Sequence, residues 1–469
     1  MNELPLLNGL TEQKPRQIAA RILQRRNEGG DFTEDLLDSA FAQTHLSAAD
    51  RGLCQELVYG VVRWQAALDG LIARKTSGRT QKAMLQTLLR LGLYQIFWLD
   101  RIPNHAAVNE TVEQAKQAGF GPQAGFVNAV LRGYLREFDA TKILLADLKV
   151  SQPHIGYSHP EWLVARWQKR WGVEKTAQLM EWNNTPPNTF ARINTLKFLD
   201  AEPVGRGPAR PDERVQRAEP VLGAPIKSAG DLLTCWRDED VEYDFVGRDW
   251  FEENLVFELK AHPALAKLAS FQGGYFYVQD PSTLLAVHAL DPQPGETILD
   301  LCAAPGGKLT YMAQRMENKG RLVAHDTLPD RLKLIEENCS RLGVTIAQTV
   351  LPSTLDPRPS TFDRILVDAP CSNTGVMRRR VDLRWRIRAE EIDRLRTTQL
   401  DLVQQAVTRL KPGGSLVYST CSLEPEENEL VVREFLGANP NFKLETQREL
   451  IPFSDGTDGA FVARFVKGV

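Results

Sequence analysis
The sequence has no apolar run approaching the roughly 18 residues that a membrane span requires. Its first thirty residues lack a signal-peptide core with a small-residue cleavage site, so a cytoplasmic protein with no membrane attachment is expected. Cysteine is sparse and unpatterned: six residues (54, 235, 302, 339, 371 and 421) in 469, with no CxxC pair and no Cys/His cluster. That spacing argues against a zinc site or a disulfide frame and predicts reduced thiols, some buried and some reactive. His105, His154 and His159 lack partners at ligand spacing and are read as structural or surface residues, and no metal is expected. An excess of one charge is also missing. The formal net charge of −3 excludes a surface coated in basic residues for indiscriminate nucleic-acid binding, while leaving local patches open.

The length implies two to four domains, and the apolar and charged fractions are those of a globular protein with a sizeable core. From residue 11 to about 138 apolar residues recur at helical spacing: Ile18, Ile22 and Leu23; Leu85, Leu88, Leu89, Leu93 and Ile96; Val127, Val130, Leu131 and Tyr134. An all-helical domain is expected over 1–138. Over 139–275 the pattern loosens into a mixed α/β linker, with a Trp-rich helix around Trp162, Trp167 and Trp171. A short strand is expected at Phe190 to Ile193, then a Gly/Pro/Arg-rich surface loop at 201–230. Over 276–469, strand-like runs at 297–301, 322–325, 364–367 and 415–418 alternate with helical segments such as 330–342 and 391–410. Such alternation predicts a Rossmann-like α/β fold, a mostly parallel sheet with helices on both faces.

The first of these strands runs into Asp300-Leu301-Cys302-Ala303-Ala304-Pro305-Gly306-Gly307-Lys308. The glycine pair permits a tight turn, and Lys308 opens a helix whose free N–H groups can hold a carboxylate. The next strand ends on Asp326, 26 positions after Asp300, where an acid can bind a ribose diol. The run departs from the dinucleotide pattern G-x-G-x-x-G, which favours a different adenosine ligand. S-adenosylmethionine fits, its carboxylate at the turn and its ribose at Asp326.

Two further strands each end in a thiol. Ile365-Leu366-Val367 leads to Asp368-Ala369-Pro370-Cys371-Ser372, and Leu416-Val417-Tyr418 leads to Ser419-Thr420-Cys421-Ser422. Open α/β sheets place their chemistry at such strand ends, so two thiols in one cleft are expected.

Together these motifs resemble the Sun/Fmu-type RNA (cytosine-5) methyltransferases, whose bacterial members modify small-subunit ribosomal RNA. Val278-Gln279-Asp280-Pro281-Ser282, Pro425-Glu426-Glu427-Asn428 and Asp458-Gly459-Ala460-Phe461 support the match. Ala49-Asp50-Arg51 and the run from Phe126 to Arg132 resemble the NusB-type RNA-binding domain of that subfamily. The resemblance implies that Cys302, Ala303, Ala304, Pro305, Gly306, Gly307 and Lys308 line the S-adenosylmethionine pocket and that Asp326 holds the ribose. It further implies that Asp368 lies beside cofactor and base, that Cys421 is the nucleophile, and that Cys371 helps release the product. One departure stands out: where the family carries an acid that touches the adenine, this chain has Leu351-Pro352-Ser353, with Asp356 close by but shifted.

Charge developing toward cytosine N3 can be relieved by a carboxyl through hydrogen bonding or protonation, and Asp368 is the candidate, which would work best with a raised pKa that keeps it protonated. Arg378, Arg379, Arg380, Arg384, Trp385 and Arg386 follow Cys371 closely and are expected to contact RNA phosphates and stack on an unpaired base. A monomer acting on 16S rRNA or a small-subunit precursor is the leading expectation. The competing ones are tRNA as substrate, a non-catalytic RNA-binding assembly factor, and DNA cytosine methylation, which the second thiol and the NusB-like domain disfavour.

Overall fold
The computed structural model describes residues 14–198, 226–351 and 362–469. Most of the Gly/Pro/Arg-rich stretch, and Pro352, Ser353 and Asp356 with it, lie outside the described residues. Contacts divide the chain into two units, residues 14–185 with Met377–Arg386, and Pro186–Val376 with Ile387–Val469.

The first unit is helical. Pro15–Glu28, Ala48–Arg63, Ala83–Trp98, Asn104–Ala115 and Ala124–Arg136 are helices whose periodic residues, among them Ile18, Leu88, Leu89, Val127 and Leu131, form one buried cluster. The Trp-rich helix is present. It runs Glu161–Asn184, with a break at Gly172 (φ 83°), and buries Trp167 while leaving Trp162 and Trp171 half-buried.

In the second unit a small antiparallel sheet comes first, from β1 (Thr189–Ile193), β2 (Glu242–Val246), β3 (Val256–Ala261) and β4 (Phe276–Val278), in the order β2-β3-β1-β4. The large sheet follows: β5 (Thr297–Asp300), β6 (Arg321–His325), β7 (Ala347–Val350), β8 (Phe362–Asp368), β9 (Leu410–Thr420), β10 (Phe442–Leu450) and β11 (Ala460–Lys467). Its order is β10-β11-β9-β8-β5-β6-β7, parallel from β9 to β7 and closed on one side by the antiparallel pair β10–β11. Ile298, Leu299, Ile365, Leu366, Val367, Leu416, Val417 and Tyr418 are all fully buried. Strands covered by helices on both faces need such unbroken apolar runs.

Strand order turns around at β5, which has β6 on one side and β8 on the other. Open parallel sheets bind ligands outside the carboxyl ends of the strands at such a point. Register then decides what meets there. Asp368 of β8 pairs with Ser419 of β9, so the chain segments leaving these two strands emerge side by side.

Candidate active site
Asp300 ends β5, and the chain turns through Cys302–Gly306 into the helix Gly307–Arg315. Gly306 sits at φ 100°, a left-handed conformation that a side chain would strain, and forms the N-cap of that helix. The turn is tied to the end of β6: the Ala303 amide donates to the His325 carbonyl at 3.0 Å and the Ala304 amide to Asp326 Oδ2 at 3.3 Å. Asp326 is buried, and its other oxygen accepts from the Thr327 amide at 2.8 Å and from Arg331 at 3.2 Å. The structure thus brings the glycine turn and Asp326 together as expected for a nucleoside pocket.

Two residues of this region carry more than the sequence reading assigned them. Asp300 is buried, and among the described residues its carboxylate oxygens find no side-chain hydrogen-bond partner. Burial, reinforced by the charge of Asp368, pushes its pKa up to about 8, against the opposing influences of Lys308 and the nearby Cys302 amide. A buried carboxylate with no side-chain partner at the mouth of a glycine turn is suited to receive the ammonium of S-adenosylmethionine, so the residues present fit that cofactor. Arg192 of β1 is the other. Fully buried, it donates to the Gly307 carbonyl at 2.9 Å, to Thr310 Oγ1 at 3.0 Å and to Gln279 at 2.8 Å, fixing the first turn of the cofactor helix from the small sheet. Its one sequence signal is a lone arginine in the apolar strand Phe190-Ala191-Arg192-Ile193.

The state of Asp300 carries a pH signature. The unfolded carboxyl ionises near 3.8, while the folded one keeps its proton to about 8. Between these values the folded state binds the extra proton, so stability falls as pH rises through that window, at most by about 1.4 kcal/mol per pH unit. Urea denaturation at pH 5 and pH 8 is expected to show this decline in the wild type and a smaller one in Asp300→Asn. Equal declines in both would remove Asp300 as the cause.

The two thiols meet. Cys371 Sγ and Cys421 Sγ are 3.4 Å apart, and Cys421 Sγ donates to Asn373 Oδ1 at 3.0 Å. Cys371 is buried and Cys421 partly exposed. Hydrogen bonding to Cys421, then burial and the charges of Cys421 and Glu427, hold the Cys371 thiol well above the ordinary thiol range. Gly375 closes the approach of the loops: its amide donates to the Cys421 carbonyl at 2.9 Å, and a Cβ there would lie 2.7 Å from that oxygen.

Asp368 departs from expectation. Its Oδ2 is 2.5 Å from Lys308 Nζ and its Oδ1 accepts from Ser419 Oγ at 2.7 Å, so both oxygens already receive donors. Burial would lower the pKa of Lys308, but the charge and hydrogen bond of Asp368, with Cys421 and Asp300, raise it overall. Lys308 is therefore held in its charged form, and Asp368 meets it as an ion-pair partner.

The arginine run also departs from expectation. Met377–Arg386 packs with the helical unit. Arg384 is fully buried and donates to the carbonyls of Arg63 (3.1 Å), Ser158 (3.2 Å) and Asn183 (2.9 Å) and to Asn184 Oδ1 (2.8 Å). The Trp385 indole donates to the Val62 carbonyl at 2.7 Å, Arg386 to the carbonyls of Gly30 and Asp31, and buried Arg378 lies 4.1 Å from the centre of the Trp182 ring. Arg384 and Trp385 are thus internal anchors and not an exposed stacking platform, because helix-end carbonyls of the first unit already occupy their donors. Arg380 is exposed and Arg379 half-buried. His159, by contrast, is structural as expected, buried with Nδ1 2.7 Å from the Tyr157 carbonyl.

A switched parallel sheet, a glycine turn facing an acidic strand end and a buried carboxylate beside it define an S-adenosylmethionine-dependent methyltransferase. Residues 287–466 match the model of the 16S rRNA methyltransferase RsmB/F family, residues 13–136 the NusB family, and residues 159–203 the Methyltr_RsmF/B-like ferredoxin-like domain. The chain is 34% identical to the "Probable ribosomal RNA small subunit methyltransferase B" of Bacillus subtilis, over 96% of this chain and 98% of that protein. It is likewise 34% identical to the ribosomal RNA small subunit methyltransferase B of Vibrio cholerae, over 96% of each. The crystal structure of a methyltransferase homolog protein from Pyrococcus horikoshii matches with a TM-score of 0.53 and 28% identity, over 67% of this chain and 97% of that one. The chain belongs to the small-subunit ribosomal RNA methyltransferase B family.

Proposed function
We propose that the protein methylates C5 of a cytosine in small-subunit rRNA through a covalent adduct between Cys421 and C6 of the base. The contact of two thiols beside the cofactor turn carries this reading. An intact cytosine is too electron-poor at C5 to take a methyl group, and addition of a thiolate at C6 makes C5 enamine-like. Cys421, the more exposed sulfur, adds to C6, and the electron pair moves toward C5 and N3. Lys308, held by Asp368, is the cation that meets this charge. S-adenosylmethionine supplies the electrophilic methyl group, and Asp300, Gly306, Gly307 and Asp326 are the residues that would hold it, within the pocket formed by Cys302–Lys308.

The C5 proton must then leave so that the electron pair can re-form the C5–C6 double bond and expel Cys421. Cys371 is the base, directly or through water. The largest cause of its high pKa is Cys421, and a sulfur bonded to carbon no longer exerts that effect. Burial and the charge of Glu427 continue to favour the protonated thiol, so Cys371 passes its own proton to solvent before it takes the one from C5.

The target base must be unpaired or flipped, since C6 is inaccessible in a stacked helix. We assign the helical region 1–138 to gripping folded RNA, 139–275 to positioning it and 276–469 to catalysis, with exposed Arg380 the strongest phosphate contact of its run. Six unpaired thiols support a reducing, cytoplasmic setting, and we take the enzyme to act as a monomer. Bisulfite mapping of total RNA from cells with and without the gene tests the reading: one small-subunit rRNA cytosine is expected to lose its mark. An unchanged rRNA map with a lost tRNA mark would redirect the substrate, and no lost mark would overturn the reading.

A further inference from the structure
Each catalytic cysteine is followed by a serine, and both serines reach the same buried carboxylate. Glu427 is fully buried. Its Oε2 accepts from the hydroxyls of Ser422 (2.5 Å) and Ser372, whose own oxygens lie 3.0 Å apart. Its Oε1 accepts from the Ser372 amide at 2.8 Å and from Gln399 Nε2 at 3.0 Å, and that same Gln399 nitrogen donates to the Pro370 carbonyl at 3.0 Å. The backbone of Glu427 is held in turn, its carbonyl accepting from Tyr418 OH at 2.5 Å. Four donors on one carboxylate offset part of the cost of burying it, although burial still raises its pKa overall. They come from both cysteine loops and from the helix Ala389–Arg409 that backs them.

We propose that Glu427 is a positioning residue that clamps the loops after β8 and β9 together and so sets the contact between the Cys371 and Cys421 sulfurs. The other ties between the loops, from the Leu423 amide to Thr374 Oγ1 at 2.8 Å, the Gly375 amide to the Cys421 carbonyl at 2.9 Å and Cys421 Sγ to Asn373 Oδ1 at 3.0 Å, are single neutral hydrogen bonds. Glu427 grips the residue next to each cysteine. The clamp deepens the two-thiol mechanism and rests on it for its catalytic meaning, but the spacing it sets can be measured without RNA.

The measurement is disulfide formation in the full-length protein equilibrated with reduced and oxidised glutathione. One thiolate displaces a glutathione thiolate from the oxidised dimer, and the second displaces the other. The protein loses two electrons and oxidised glutathione becomes two reduced molecules. Peptide mapping of the Cys371–Cys421 bond gives the effective molarity of the pair. Misplacement by about 1 Å costs a reacting pair about a hundredfold, so Glu427→Ala is expected to lower the effective molarity by about that factor. Glu427→Gln keeps an accepting oxygen for the Ser372 amide and turns an NH2 toward hydroxyls that can accept, so it should retain most of the wild-type value.

The double variant Ser372→Ala/Ser422→Ala removes the two hydroxyls while leaving the carboxylate, and should also lower it. Calorimetry with S-adenosylmethionine, whose turn lies after a different strand, checks that each variant is folded. Should Glu427→Ala fail to bind it, the serine pair decides. Cross-linking in Glu427→Ala or in the serine pair equal to wild type, or equal losses in the Gln and Ala variants, would overturn the clamp. A wild type that cross-links readily yet leaves no 5-methylcytosine would overturn the cytosine-5 reading and leave the clamp standing.

Discussion
Cys421→Ala protein is expected to transfer no methyl group to rRNA and to form no covalent complex with it, whereas Cys371→Ala should still attack and methylate but then remain bonded to its product. The asymmetry follows from what each sulfur is asked to do. Addition at C6 needs the accessible thiol, and Cys421 is the partly exposed one of the pair. In the proposed mechanism expulsion of that sulfur needs removal of the C5 proton, and the neighbouring sulfur at 3.4 Å is the group assigned to take it. A denaturing gel of each variant incubated with rRNA and S-adenosylmethionine reads both outcomes, with methyl-labelled RNA shifted to the protein band only for Cys371→Ala. An adduct with Cys421→Ala would reverse the two roles. Loss of a catalytic base costs about 10²- to 10⁴-fold, so turnover by Cys371→Ala should fall by at least about a hundredfold.

The second large effect is on stability. Arg384→Met is expected to destabilise the helical unit by about 3 to 5 kcal/mol, because three carbonyls and the Asn184 side chain lose a buried charged donor. Among the described residues no carboxylate is paired with this guanidinium, and burial, with the charge of Arg63, lowers its pKa to about 9. It is held by oriented carbonyl dipoles alone. Arg384→Lys should not restore stability, since one ammonium cannot span acceptors that the planar fork reaches together. Calorimetric melting should show the transition of the helical unit lowered by at least about 6 °C in both variants. An unchanged transition would mean that the buried arginine contributes nothing net.

Much of the site was legible before any contact was known. Cys371, Cys421, Asp326 and the glycine turn each follow an apolar run of strand length, and an alternating β/α chain must bring such ends to one edge of the sheet. The helical residues Ile18, Leu88 and Val127 were legible by the same logic, period matching burial. Arg384 and Trp385 misled because composition registers charge and not partners: arginines around an indole look like a phosphate-binding loop until the carbonyls of Arg63, Ser158 and Asn183 are seen to accept from Arg384 and that of Val62 from Trp385. Asp300 and Glu427 were part of quoted motifs, yet nothing local distinguishes an acid with no side-chain partner from one with four donors.

The amino-acid order by itself determined the helical periods of the first unit, the parallel strands β5, β6, β8 and β9 and the identity of the residues at their ends, since these depend on local periodicity, turn chemistry and unbroken apolar runs. Tertiary structure alone decided which side chains touch. The β8–β9 register sets Asp368 opposite Ser419, and with it the meeting of the two thiols, the Lys308–Asp368 ion pair and the four donors on Glu427. Those contacts join residues many positions apart, and their strength depends on burial, which no short stretch of sequence contains.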